Sequence, residues 1–333
     1  VDVRTEHEVV GLVSDGDTVV GVRVRGPKGE ETILGQVVLT TGAHDWSQEL
    51  SAKFTGIPPE DGGSVAPGTL SGDAIALVEP VGGAPDSLPA WAAPVLPGYR
   101  LENPAFDGDT GFRACYEHCL PHTFLVNERA ERFCDDSFHT RIVAAALADG
   151  DRGGNLPFFM ICDSRHHQRY GLGATAPGGE YPPGLVLQSS TLAGLAHALG
   201  LPAEALEATA ARFNTHAVDG TDPDFGRGTN LSVRKFRGDG KHQPNPNVGP
   251  VSEAPFFGMR MRLLNTGIAA AGVRTGDNGA VLDGVGGVVD GLHAAGECSA
   301  RAAAGVGYNS GYSLSRAMAY GFLAANAIAD TRT

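Results

Sequence analysis

Gly291-Leu-His-Ala-Ala-Gly-Glu-Cys298, followed by Gly305-Val-Gly-Tyr-Asn-Ser-Gly-Tyr-Ser-Leu314, decides how this chain is read. The first stretch has the pattern of a short buried strand with a glutamate, Glu297, where the strand ends. A glycine-rich turn and a helix from Ser313 to Ala329 come next. Small and apolar residues fill that helix, among them Ala317, Met318, Phe322, Leu323 and Ala324, which predicts close packing on a sheet. A helix N-terminus carries unpaired N–H groups and a partial positive charge. Glycines 305, 307 and 311 leave room for a flat ligand to approach it. Strand end, carboxylate and helix mouth together form a docking site for an oxygen-rich cofactor, because open α/β sheets take ligands beyond the carboxyl ends of their strands.

Ala294-Ala-Gly-Glu297, Tyr308-Asn-Ser-Gly-Tyr-Ser-Leu314 and Ala319-Tyr-Gly-Phe322 resemble the last flavin-contacting block of the fumarate reductase and 3-ketosteroid dehydrogenase flavoproteins. The resemblance implies that Glu297 holds the FAD ribityl or ribose hydroxyls. It also implies that Ser313 and Leu314, after Gly311, offer backbone N–H groups to the isoalloxazine. Val37-Val-Leu-Thr-Thr-Gly42 is similar to the family's strand whose Thr-Gly passes close to FAD, which carries over Thr41 and Gly42. Ser71-Gly-Asp73-Ala matches less closely a Thr-Gly-Asp-Gly that lies against the flavin, and Asp73 is carried over on that basis. No histidine stands in a context for covalent flavin attachment, so non-covalent FAD is expected.

A G-x-G-x-x-G turn opening a βαβ unit, with an acidic residue about 20 positions on, would hold the pyrophosphate and ribose of a dinucleotide. It is missing, and Val1 stands in the middle of a strand pattern. The chain is therefore expected to be a fragment lacking its N-terminal βαβ half; the alternative is a complete protein that has lost FAD. The expected fold class is α/β: an incomplete Rossmann-like FAD-binding domain with a β-meander, plus an inserted α+β substrate-capping domain. The boundaries read from the sequence are 1–108 and 251–333 for the first and 109–250 for the second.

A length of 333 residues suits two domains, and 42% hydrophobic with 19% charged residues is ordinary for a folded α/β chain. The net charge of −13 argues against nucleic acid as a partner. No apolar run approaches the ~20 residues of a membrane span. The five cysteines have irregular spacing. Cys115 and Cys119, with His118 and His122 beside them, form one pair where a structural zinc site shows two. Reduced thiols of a cytoplasmic protein, with no metal, are expected.

From Val9 to Gly42 apolar runs alternate with turns at Asp15-Gly-Asp17 and Pro27-Lys-Gly29, hairpin signals that predict a meander. Its last strand, Val37 to Thr41, is apolar enough for a buried parallel strand. Ser71-Gly-Asp73 opens a helix that ends at Gly82-Gly83. Pro85 to Asp109 reads as an interdomain linker. Pro121 to Asn127 and Pro157 to Asp163 read as strands, and two helices follow, the first capped by Ser190 or Thr191 and the second opened by Pro202. His118, His122, His166, His167 and His242 fall in polar segments and are expected at the surface. Val126 to Phe133 and Asp222-Pro-Asp-Phe-Gly-Arg227 are similar to the capping domain of the same flavoproteins.

In that family the flavin exchanges a hydride while a side chain moves a proton on the neighbouring carbon. Where the resemblance to fumarate reductases implies two arginines and a histidine, this chain has Tyr308, His139-Thr140-Arg141 and Ile268-Ala-Ala-Ala-Gly272. Too little charge remains to clamp a dicarboxylate. A tyrosine at the glycine turn is instead similar to the ketosteroid dehydrogenases, which makes Tyr308 the first acid/base candidate. His139 is the second, since a histidine titrates near neutrality, with Arg141 to orient a carboxylate or carbonyl oxygen. Asp135-Asp136 nearby reads as a helix cap. The expected function is FAD-dependent transfer of hydride to or from a carbon–carbon bond next to a carbonyl. The partners are a carbonyl-bearing small molecule and an electron acceptor of unknown identity. A non-catalytic truncated fragment of such a flavoprotein is the alternative, and an oxygen-using monooxygenase-like flavoprotein a third reading.

Overall fold

Residues 8–34 fold as an antiparallel meander of three strands, Glu8–Asp15, Thr18–Gly26 and Gly29–Leu34. The structure is a computed structural model that describes residues 1–103, 106, 108–148, 154–300 and 310–330. In the middle strand Val19 and Val24 are buried. The next strand, Val37–Leu39, leaves it and pairs in parallel with Val288–Ala294, whose other edge takes Ala280–Leu282 in antiparallel register. The strand is parallel as expected but not buried throughout. Val37 and Leu39 point into the core while Val38 is 40% exposed, because successive side chains face opposite ways.

The chain divides into two units, Val1–Gly56 with Ala66–Pro94 and Thr266–Thr333, and Ile57–Val65 with Val95–Asn265. These divisions fall at 94/95 and 265/266, where the sequence suggested 108/109 and 250/251. Pairing explains the difference. Pro85–Ser87 is a strand against Ala271–Val273 in the first unit, and Leu96–Arg100 is a strand against Phe256–Asn265 in the second. The stretch read as a linker thus contributes a strand to each unit.

The first unit's core gathers Val19, Leu39, Val78, Val273, Val281 and Leu292. The helices Gln48–Thr55 and Asp73–Val78 border it, the first capped by Ser47 Oγ, which accepts from the Leu50 N–H at 3.2 Å. The C-terminal helix, Tyr312–Asp330, corrects an expectation. Of its described side chains only Arg316 and Ala324 are buried, while Leu314, Met318 and Phe322 stand 67%, 67% and 69% exposed. These three recur every four residues and so share one face. The helix rests on the turn after strand Val288–Ala294 by its opposite side, and the apolar face points outward.

In the second unit Phe256–Asn265 is the spine of a seven-stranded sheet. Phe158–Cys162 and then Thr123–Asn127 extend it on one side, Leu96–Arg100 and Phe112–Ala114 on the other. Helices Leu192–Leu199 and Ala203–Ala217 cover Phe124, Val126, Ile161 and Phe256. Thr191 caps the first and Pro202 precedes the second, as the sequence predicts.

Asp136 does not cap a helix. It sits 1% exposed between two guanidiniums, its Oδ1 accepting from Arg227 Nη1 at 2.6 Å and Arg132 Nη2 at 3.3 Å. Arg227 is fully buried and donates onward to the His118, Leu120 and Asn247 carbonyls, while Arg132 forks onto Asp222 with two bonds of 2.9 Å. The surface placement expected for His118, His122 and His166 is also corrected. All three are buried, with ring nitrogens on the carbonyls of Asp136, Pro250 and Glu117.

Burial alone would raise the Asp136 pKa, but Arg227 and Arg132 hold it below the ordinary carboxylate value. Its contribution to stability is therefore complete above the unfolded pKa of about 3.9 and disappears as pH falls through the depressed folded value. Asp136→Asn, which leaves two buried cations short of charge, is expected to cost about 3–5 kcal/mol in urea unfolding at neutral pH; a loss below about 1 kcal/mol would contradict this account. The bare helix face predicts binding of a hydrophobic dye. Met318→Ser with Phe322→Ser should reduce dye fluorescence severalfold, and unchanged fluorescence would mean that the face is covered in solution.

Candidate functional site

Strand Val288–Ala294 delivers the glutamate. Past its end the chain turns at Gly296, whose φ of +77 suits glycine, into a short 3-10 turn, Gly296–Cys298. The ends of the two parallel strands are tied there. The Ala295 N–H donates to the Leu39 carbonyl at 3.0 Å, and Cys298 Sγ lies 3.1 Å from the Leu39 and Ala295 carbonyl oxygens. Glu297 thus leaves the end of one strand and Thr41-Gly42 the end of its neighbour. Brought together in this way, the residues occupy the place where open parallel sheets take ligands.

Glu297 is held by one oxygen and free at the other. Its Oε2 accepts from the Ala269 N–H at 2.9 Å and lies 3.7 Å from Arg316 Nη2. Its Oε1 is buried and has no hydrogen-bond partner among the described residues. The same holds for Ser313 Oγ, in the first turn of the C-terminal helix. A buried acceptor left without a donor costs free energy, roughly 1–3 kcal/mol, so both atoms are placed for a polar ligand. Gly311 precedes the helix at φ +86, and Leu314 is exposed beside Ser313.

Thr41 is exposed, and Gly42 is half-buried at φ +82, where a Cβ would come within 2.6 Å of Leu70 Cδ2. Asp73 is exposed in the first turn of its helix and accepts from Ser71 Oγ at 2.7 Å. Its neighbour Gly72, at φ +83, donates its N–H to the Ala43 carbonyl at 3.2 Å, which sets the Asp73 turn beside the Thr41-Gly42 loop. One cluster in the first unit therefore contains Thr41, Gly42 and Asp73, and the paired strand ends connect it to Glu297.

Two further residues in this unit were not singled out from sequence. His44 is 3% exposed with an unpartnered Nδ1, and burial lowers its pKa, so the ring is neutral near pH 7. Arg316 is 7% exposed beneath Glu297. An arginine inside an otherwise apolar helix was the signal for the second; His44, after Thr-Thr-Gly-Ala, stood out only as a histidine whose context does not match covalent flavin attachment.

Tyr308 lies outside the described residues. His139 and Arg141 belong to the second unit, in the helix His139–Ala146. His139 is half-buried in the first turn, edge-on to Phe138 with ring centroids 5.4 Å apart. Burial, and then the charge of Arg237, lower its pKa, leaving a neutral imidazole able to accept a proton. Arg141 is exposed and lines a concavity with Cys134, Asp135, Phe138, Phe225 and Asn230. Residues two apart on a helix do not share a face, so His139 and Arg141 point in different directions. Arg141 forms no ion pair with a described carboxylate, whereas burial raises the Asp135 pKa beside it.

Among the described residues no group of histidine, cysteine and acidic side chains is arranged for a metal ion, and no helix is long and apolar enough to cross a membrane. All five cysteines are free and buried.

Comparison with known proteins agrees with this geometry. A 3-oxosteroid 1-dehydrogenase of Mycobacterium tuberculosis is 31% identical over 99% of this chain and 60% of its own length. A 4-oxocyclohexanecarboxylate 2-dehydrogenase of Sinomonas cyclohexanicum is 30% identical over 88% of this chain and 51% of its own. A crystal structure of 3-ketosteroid delta1-dehydrogenase from Sterolibacterium denitrificans in complex with 1,4-androstadiene-3,17-dione superposes with a TM-score of 0.85 at 26% identity, covering 98% of this chain and 59% of that one. The chain thus spans between 51% and 60% of the length of these relatives, and its mixed α/β fold is that of the ketosteroid dehydrogenase structure. Residues 1–314 match the FAD binding domain family, to which the chain belongs.

Proposed function

We propose that the chain is the substrate-facing portion of a FAD-dependent dehydrogenase that removes hydrogen from a carbon–carbon bond next to a ring ketone, closer to the ketosteroid dehydrogenases than to the fumarate reductases. The family supplies the cofactor class, and the residues present fit it. The observation that carries the fit is Glu297 Oε1, a buried carboxylate oxygen with no donor at the ends of two parallel strands. Its natural complement is a hydroxyl, the group that the ribityl and ribose parts of FAD provide. Glu297 would hold those hydroxyls, with Thr41, Gly42, Asp73, Gly311, Ser313 and Leu314 around the same non-covalently bound molecule. When bound, FAD supplies the hydride acceptor. We read the first unit as the incomplete Rossmann-like part and the second as the capping domain, and the five buried thiols favour the reducing cytoplasm.

The chain's own residues then handle the proton and the carbonyl. Tyr308 is proposed to polarise the ketone oxygen, which acidifies the adjacent C–H. His139, neutral because it is buried, takes the proton as the hydride leaves, so a C–C single bond becomes a double bond with one proton and one hydride lost. Arg141, free of an ion pair, suits a carboxylated ring ketone of the kind named for the Sinomonas relative, while the apolar Phe138 and Phe225 suit a steroid.

The test is turnover by the protein loaded with FAD, using an artificial electron acceptor and three substrates: a 3-ketosteroid, 4-oxocyclohexanecarboxylate and succinate. Oxidation of a ring ketone without oxidation of succinate is expected; succinate alone as substrate would overturn the proposal. His139→Asn is expected to lower kcat by about 10²–10⁴-fold. The native acid limb should fall only below the ordinary histidine value of about 6.5, since the burial-lowered His139 protonates later than a free imidazole. Arg141→Ala should raise KM for the keto acid and leave that for the steroid unchanged. An equal effect on both substrates would remove its role in choosing between them.

A further inference from the structure

Arg316 carries a charge into a place where packing alone does not require one. Its side chain lies in the core of the first unit, on the inner face of the C-terminal helix. A leucine would fill similar space without the desolvation cost of a guanidinium, which is several kcal/mol for a buried ion. Its contacts show what the charge is used for. Nη1 donates toward the Ser299 carbonyl at 3.2 Å, Ser299 Oγ at 3.2 Å and the Ala300 carbonyl at 3.1 Å. Nη2 donates to the Gly296 carbonyl at 2.8 Å and stands 3.7 Å from Glu297 Oε2. Every one of these acceptors belongs to the five residues 296–300, the turn that presents Glu297.

We infer that Arg316 is a positioning residue for cofactor binding: it clamps the turn 296–300 to the C-terminal helix and engages one oxygen of Glu297, so that the other faces the ligand. Glu297 has two oxygens and three rotatable bonds, and left alone it would sample many orientations. The Ala269 N–H and the Arg316 guanidinium both address Oε2. The remaining oxygen, Oε1, is the one without a partner, and a ligand hydroxyl meets it already oriented. Pre-organisation of this kind raises affinity by lowering the ordering cost of binding. Arg316 itself need not touch the ligand. The inference rests on the flavin reading of the site, and its test separates the two.

The intact protein is prepared as native, Glu297→Gln, Arg316→Gln, Arg316→Lys, and each Arg316 variant combined with Glu297→Gln. FAD dissociation constants are measured by flavin fluorescence, and amide hydrogen exchange at residues 296–300 is followed without flavin. Glu297→Gln and Arg316→Gln are each expected to weaken FAD binding about tenfold, a typical coupling for contacting residues. Arg316→Gln should add little once Glu297 is already changed, and Arg316→Lys should recover part of the loss. Exchange at 296–300 should quicken in Arg316→Gln. If Arg316→Gln does not fold, Arg316→Lys completes the same cycle.

The same fold-loss in both Glu297 backgrounds would mean a general structural role and overturn the inference, as would unchanged binding in the native background. A native protein that binds no FAD sinks the flavin reading. In that event the exchange data still decide whether Arg316 holds the turn, and unchanged exchange overturns the inference by itself.

Discussion

The parallel pairing of Val37–Leu39 with Leu292–Ala294 is the constraint from which the site follows. Nothing local in either segment can make a binding site. Once the two strands lie side by side, Thr41-Gly42 and Glu297 emerge from adjacent carboxyl ends, and the bond from Ala295 to Leu39 fixes their spacing. The meander must also lie close to this pair. Gly291, at φ +78, allows it, since a Cβ there would collide with the Val19 carbonyl oxygen. A single glycine thus lets the meander and the strand Val288–Ala294 share one core.

The two units use buried charge differently. In the second, Asp136 and Asp222 face Arg132 and Arg227; Arg227 uses its spare donors on backbone carbonyls, while Arg132 Nε is buried without a partner among the described residues. Both carboxylates there are bonded to guanidiniums, which suits the network to fixing the fold around the histidine-bearing helix. In the first, Arg316 and Glu297 are not fully paired: Arg316 Nε and Glu297 Oε1 have no partner among the described residues. The difference lies in the carboxylates: only Glu297 keeps a buried oxygen unpartnered among the described residues, and at a strand end a ligand hydroxyl would complete it.

Much of the fold was legible because it follows from short-range rules. The meander turns at Asp15-Gly-Asp17, the cap at Thr191, the proline ahead of the Ala203–Ala217 helix and the apolar strand Phe158–Cys162 each carry their own signal. Glu297 was legible through its family block. What escaped depended on distant partners. Pro85–Ser87 looked like linker because its strand character comes from Ala271–Val273, more than half the chain away. Asp136 looked like a cap because Arg227 lies 91 residues on. His118 and His166 looked superficial because the carbonyls that satisfy their rings belong to other segments. Arg316 stood out as a charge in an apolar helix, but its purpose shows only when its acceptors are seen.

The order of the segments sets when each unit can be completed. Almost all of the second lies in one stretch, Val95–Asn265, with its only early piece at Ile57–Val65. The first is split around it, and its defining strand pair joins residue 39 to residue 294. During synthesis the amino-terminal meander is therefore exposed, with its parallel partner still unmade, while the whole second unit emerges from the ribosome. Long-range pairing of this kind forms late and leaves apolar edges uncovered in the interval. The strand pair beside the candidate site is for that reason among the last parts of the fold that can close.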